Sequence, residues 1–146
     1  MPHPHRSPPP RDAGFTLLEL LVVIAILGLL VAFVAPAALR QLAGAKNSVA
    51  KQQIERLGAV LDNYKLDVGG YPNTQQGVDA LMTKPSDAEN WGGPYLKGDL
   101  TPKDPWNHPW HYVSPSTRSN RDYDLCSQGA SGKGEGPGDS QAICNP

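Results

Sequence analysis

The sequence predicts an α+β protein in which one long N-terminal α-helix, half membrane span and half amphipathic, packs on a small antiparallel β-sheet. Three observations carry this expectation. Residues 15–34 are 20 residues that are apolar apart from Thr16, Glu19 and Gly28. Beyond them Ala50, Ile54, Leu57, Leu61 and Tyr64 recur at helical spacing, with Lys51, Glu55, Arg56 and Asp62 between them. Downstream, short polar and aromatic runs alternate with most of the chain's 15 prolines and 15 glycines, the punctuation of a turn-rich domain rather than of a low-complexity tail.

A chain of 146 residues has room for one modest domain. The formal net charge of −1 gives no attraction to a polyanion, and the cations are scattered rather than striped among aromatics. Nucleic acid is therefore not an expected partner.

The leader, "MPHPHRSPPPRDAG", is polar and proline-rich and carries Arg6 and Arg11. As a helix, the apolar run that follows spans roughly 30 Å, the thickness of a hydrocarbon core. Arginines before the run and none inside it keep the leader in the cytoplasm and send the remainder across. Glu19 is out of place in such a segment: a carboxylate at mid-bilayer costs on the order of 3 kcal/mol, less near an interface.

Three readings of this run compete. A cleaved secretory signal would be shorter and end at a small-residue site, for which "VAPA" is a passable match. A plain anchor explains the length and leaves Glu19 without a purpose. If instead the chain is cut between Gly14 and Phe15, the new amine lies about one helical turn from Glu19. A cationic amine on one subunit can then neutralise the carboxylate on its neighbour, which makes Glu19 a register pin between packed helices.

The stretch "GFTLLELLVVIAILG" resembles the type IV prepilin (class III) signal. That resemblance implies that a membrane peptidase cuts after Gly14 and methylates Phe15, and that Glu19 is the assembly glutamate. It divides the chain into a cleaved leader at 1–14, a transmembrane and filament-core helix at 15–35, and a periplasmic globular domain at 36–146. Pro36 stands where the family's helix melts as subunits pack; a simple kink at the membrane exit is the competing reading.

The amphipathic continuation is expected to end near Gly69 and Gly70. Tyr71-Pro72 then starts a turn, and residues 75–82 form a short helix before Pro85. Tyr95, Trp106, Trp110 and Tyr112 fit a small sheet, with Val113 and Leu125 in short antiparallel strands. The segments "LDNYKLDVGGYPNTQQGVDALMTKP" and "YLKGDLTPKDPWNHPWHYVSP" are similar to those of the major pseudopilins of type II secretion systems. Type IV pilins of adhesion or DNA-uptake fibres share the first helix without these later signatures. The resemblance runs from Gly14 to about Leu125 and implies a pilin-like fold.

It also implies a function and a set of partners. The subunit would wait in the inner membrane with its domain in the periplasm, then polymerise into a homopolymeric pseudopilus that drives folded proteins through the outer-membrane secretin. Prepilin peptidase, minor pseudopilins and an inner-membrane assembly platform with its ATPase are the implied partners. The alternatives are a type IV pilin subunit and a membrane-anchored secreted enzyme.

The final segment, "DYDLCSQGASGKGEGPGDSQAICNP", departs from the family. Major pseudopilins hold a calcium ion in this loop, partly through an aspartate where this chain has Ser131. A serine hydroxyl is a poorer ligand for a hard cation than a carboxylate, and only Asp139, and less so Glu135, remain. Calcium is thus a doubtful cofactor here, with Asp139 a weak candidate ligand. Cys126 and Cys144, the chain's two cysteines, flank this same loop. In a periplasmic domain a Cys126–Cys144 disulfide would do what the ion does in relatives; two unpaired thiols are the alternative.

Other motifs carry less. "GASGKGEG" is two residues short of G-x-x-x-x-G-K and lacks the following Ser or Thr. His108 and His111 have a spacing that could hold a metal, but the surrounding Trp106, Pro109 and Trp110 read as a packed aromatic turn. No G-x-S-x-G elbow occurs, and no enzymatic activity is expected.

Overall fold

The computed structural model describes residues 14–98 and 101–146. The chain divides into two compact units, Met1–Arg40 and Gln41–Pro146, taken here in turn.

The helix α1, Leu17–Val68, begins at a local signal. The Thr16 hydroxyl accepts the Glu19 N–H at 3.1 Å, which caps one of the donors that a helix start leaves unpaired. In the first unit every described residue is exposed, including Phe15, Leu17, Leu21, Ile24, Leu30 and Phe33. Helix α1 is long and apolar enough there to cross a membrane. In the unassembled chain α1 runs through Pro36 without interruption. Proline removes its own N–H donor and its ring crowds the carbonyl four residues back, and the intact turns on either side bear that cost.

In the second unit, α1 buries Ala50, Ile54, Leu57, Leu61 and Tyr64, the same five residues that the periodicity selects. They pack with Val78, Leu81, Trp110, Tyr112 and Leu125 into one core. The helix stops at Gly69, whose φ of 92° suits glycine and whose N–H closes on Lys65 O at 2.8 Å. The short helix expected at 75–82 is a 3₁₀ helix, Gly77–Leu81. Ahead of it, Asn73 and Gln76 exchange backbone-to-side-chain hydrogen bonds at 2.8 and 2.9 Å.

Three short strands, β1 His111–Val113, β2 Asp124–Ser127 and β3 Ile143–Cys144, form an antiparallel sheet in the order β1-β2-β3. Tyr112 faces Leu125, and Val113 faces Asp124. The sheet is smaller than the aromatics suggest, since only Tyr112 of the four lies in a strand. Trp106 cannot join a ladder because its N–H, like that of His108, is taken by Asp104 Oδ1 in a tight turn. Tyr95 packs edge-on against Tyr64 and Trp91 instead, with ring centroids 5.7 Å apart in each pair. Trp110 is buried in the core just before β1.

Candidate functional site

Two regions carry the residues singled out from the sequence, one in each unit. In the first, Gly14 and Phe15 are exposed just ahead of α1, where a peptidase can reach them. The leader before Gly14 lies outside the described residues. Glu19 occupies the third helical position, the end of a Thr-x-x-Glu pattern that marks a helix start. The unpaired N–H groups and the helix dipole make this the positive end of α1, so an acid is better tolerated there than mid-span. Glu19 is exposed. Thr16 was legible through that four-residue pattern and is the one residue of this region that the motif reading passed over.

In the second unit the C-terminal segment returns on the sheet. Cys126 and Cys144 lie directly opposite each other on β2 and β3 and form a disulfide, with Cα atoms 4.0 Å apart. Two buried aspartates hold the ends of the closed loop. Asp104 accepts the Ser127 hydroxyl at 2.6 Å, and Ser127 Oγ in turn accepts the Gly129 N–H at 3.1 Å. His108 Nδ1 donates to Gly129 O at 3.1 Å and so pins this turn.

Asp124 is the second anchor. Ser116 Oγ, the Thr117 N–H and hydroxyl, and Arg118 Nε all donate to it at 2.7–3.0 Å. Burial raises its pKa, but these donors outweigh burial and hold the carboxyl down at about 2. Arg118 also reaches Asn145 through Nη1 to the backbone carbonyl at 2.9 Å and Nη2 to Oδ1 at 2.7 Å. Sequence reasoning missed Asp104, Asp124, Arg118 and Asn145. Asp104 had a signal in the "KDPWNH" turn; the others come together only through the tertiary fold.

Calcium takes about six to eight oxygens, from carboxylates, amides or the backbone, and several side-chain oxygens of this loop already have partners. Asp139 spends its oxygens on the N–H groups of Gln141 and Glu135, at 2.8 and 3.2 Å, which also lower its pKa. Ser131 donates its hydroxyl to Gln141 Oε1. Asp124, the nearest buried carboxylate, is already neutralised by Arg118. Among the described residues no three His, Cys, Asp or Glu side chains form a cluster.

An apolar helix of membrane length with an acid in its first turn, and a small domain closed by a disulfide, define a helix-anchored assembly subunit of the pilin type. The family described as "Type II secretion system (T2SS), protein G" matches residues 37–146, and the prokaryotic N-terminal methylation motif matches residues 9–35. The chain is similar to the type II secretion system core protein G of Pseudomonas aeruginosa, 45% identical over 90% of this chain and 92% of that protein. It is 41% identical to the core protein G of Vibrio cholerae serotype O1, over 92% of each. The solved structure of the major pseudopilin from the type 2 secretion system of enterohaemorrhagic Escherichia coli matches with a TM-score of 0.61 at 28% identity, covering 73% of this chain and 91% of that one. The chain belongs to the core protein G family of type II secretion systems, the major pseudopilins.

Proposed function

We propose that this chain, by family a subunit of the type II secretion pseudopilus, acts as a structural filament subunit rather than as a catalyst. The observation that carries the reading is the fully exposed apolar half of α1 with Glu19 in its first turn. Such a helix has two comparable hosts, a bilayer or a bundle of identical helices. Transfer between them need not cost the whole insertion energy, because the apolar surface stays out of water in both.

Prepilin peptidase removes residues 1–14 and methylates Phe15. The subunit then rests in the inner membrane through residues 15–35, with residues 36–146 in the periplasm. An assembly platform and its ATPase extract it into a homopolymer with minor pseudopilins, and the filament moves folded proteins toward the secretin. Glu19 sets the register of each incoming subunit against the Phe15 amine of a neighbour. Pro36 offers the place where α1 opens once it is packed.

Intact mass of the protein purified from membranes tests the processing. The expected mass is that of residues 15–146 plus one methyl group. A mass that retains the leader, or that begins near Ala37, refutes the reading. Deleting the gene separates a pseudopilin from an adhesive pilin: the first leaves exoproteins in the periplasm, the second removes surface fibres.

A further inference from the structure

The two arms of the C-terminal loop touch each other directly. Gly134 N–H donates to Gln128 O at 3.1 Å, and Ser131 donates to Gln141 Oε1. Gly129, with φ of 70°, brings its backbone so close that a Cβ there would lie 2.2 Å from Gln141 O. The Cys126–Cys144 bond joins the arms at their base, and both ends are tied to the buried Asp104 and Asp124. One recess beside the arms is lined by Asn47, Ser131, Ser140 and Gln141, among others. A second is lined by Asp124, Glu135 and Asp139, of which Asp124 is paired with Arg118 and Asp139 accepts the N–H groups of Gln141 and Glu135. A cation placed between the arms would meet amide and hydroxyl oxygens already engaged with one another.

We infer that oxidation of Cys126 and Cys144, and not a divalent cation, sets the C-terminal loop of this chain. In the step itself each thiol gives up its hydrogen and one S–S bond forms. A disulfide-bearing thiol oxidoreductase accepts the two electrons and two protons, and its own disulfide opens to two thiols. The folded state therefore depends on the oxidant supply of the compartment and is indifferent to its calcium.

The test is a set of melting curves on the full mature chain in detergent micelles. The chain is taken oxidised, or unfolded, reduced and alkylated before refolding, each with EDTA or with millimolar calcium chloride. The oxidised chain should melt within about 1 °C in both solutions, because only an ion that binds the folded state raises its melting temperature. The reduced chain should melt lower by about 10 °C or more, or fail to fold, with calcium and without it.

A Cys126→Ala, Cys144→Ala double variant, which forms no bulky adduct, should melt lower by a similar margin and stay indifferent to calcium. The inference is overturned if EDTA lowers the melting point of the oxidised chain and calcium restores it. It is equally overturned if calcium brings the reduced chain or the double variant back to the oxidised value, or if loss of the bond leaves melting unchanged. The curves read unassembled protein, so their outcome and that of the filament reading are separable.

Discussion

Arg118 Nε donates to Asp124 Oδ1 at 2.7 Å, and the same guanidinium holds both oxygens of Asn145. One cation thus neutralises a fully buried carboxylate and ties the last residues of the chain to the start of β2. Asn145 completes the tie by accepting the Leu125 N–H at 3.0 Å and donating to Tyr123 O at 3.1 Å. Buried charges survive in a fold only when they are paired in this way.

This arrangement predicts an acid-labile domain. The Asp124 carboxyl titrates at about 2 in the folded chain, below the ordinary value of about 3.9 for an unfolded aspartate. Its contribution, on the order of 2 kcal/mol, is complete above pH ~4 and fades as the pH falls toward 2. Urea unfolding at pH 7 and pH 2.5 should show that loss, and Asp124→Asn should remove most of the difference by lowering the pH 7 value. Arg118→Ala should cost more at pH 7, about 3 kcal/mol, since it leaves a buried charge unpaired.

Two glycines of the loop should respond differently to alanine. Gly129 has φ of 70° and would place a Cβ against the backbone oxygen of Gln141, which cannot yield. Gly132 has a similar φ of 67°, but its Cβ would meet His108 Nε2, the end of a side chain that can shift by loosening its Nδ1 bond to Gly129 O. Gly129→Ala should destabilise by about 3 kcal/mol and Gly132→Ala by about 1 kcal/mol. Paired denaturation curves measure the gap, and equal losses would contradict this account.

Leu61 is wholly buried beneath the sheet. Leu61→Ala should cost about 3 kcal/mol through lost burial and the cavity left behind. Membrane insertion, which depends on the separate apolar run, should be unchanged when the membrane fraction is assayed.

Glu19→Leu separates anchoring from assembly. Losing the carboxylate removes one favourable helix-terminus interaction, worth about 0.5 kcal/mol, and makes the span more apolar. Insertion should persist while filament formation fails by at least tenfold, as counted by electron microscopy of sheared cells. Wild-type numbers of filaments would show that Glu19 only marks the helix start.

Much of this architecture is written locally. The five residues of the amphipathic stripe are the buried residues of α1, because a 3.6-residue period places them on one face whatever they pack against. The end of α1 at Gly69 and the start near Thr16 follow from caps a few residues long. The aromatics were less legible. Tyr95, Trp106 and Trp110 have strand-like composition, yet turn hydrogen bonds and core packing claim them, and β-propensity yields to such context. α1 also runs uninterrupted through Pro36, although an interior proline costs a helix about 3 kcal/mol.

The sequence by itself determined the parts that depend on neighbours along the chain: the apolar run, the acid in its first turn and the buried stripe. Tertiary structure alone decided which carboxylates are buried and what neutralises them. Asp104 meets Ser127, and Arg118 meets Asn145, across 23 and 27 residues of chain. No local period records such distances. They come into being only when α1 and the sheet close one core and fix the register that sets Cys126 against Cys144.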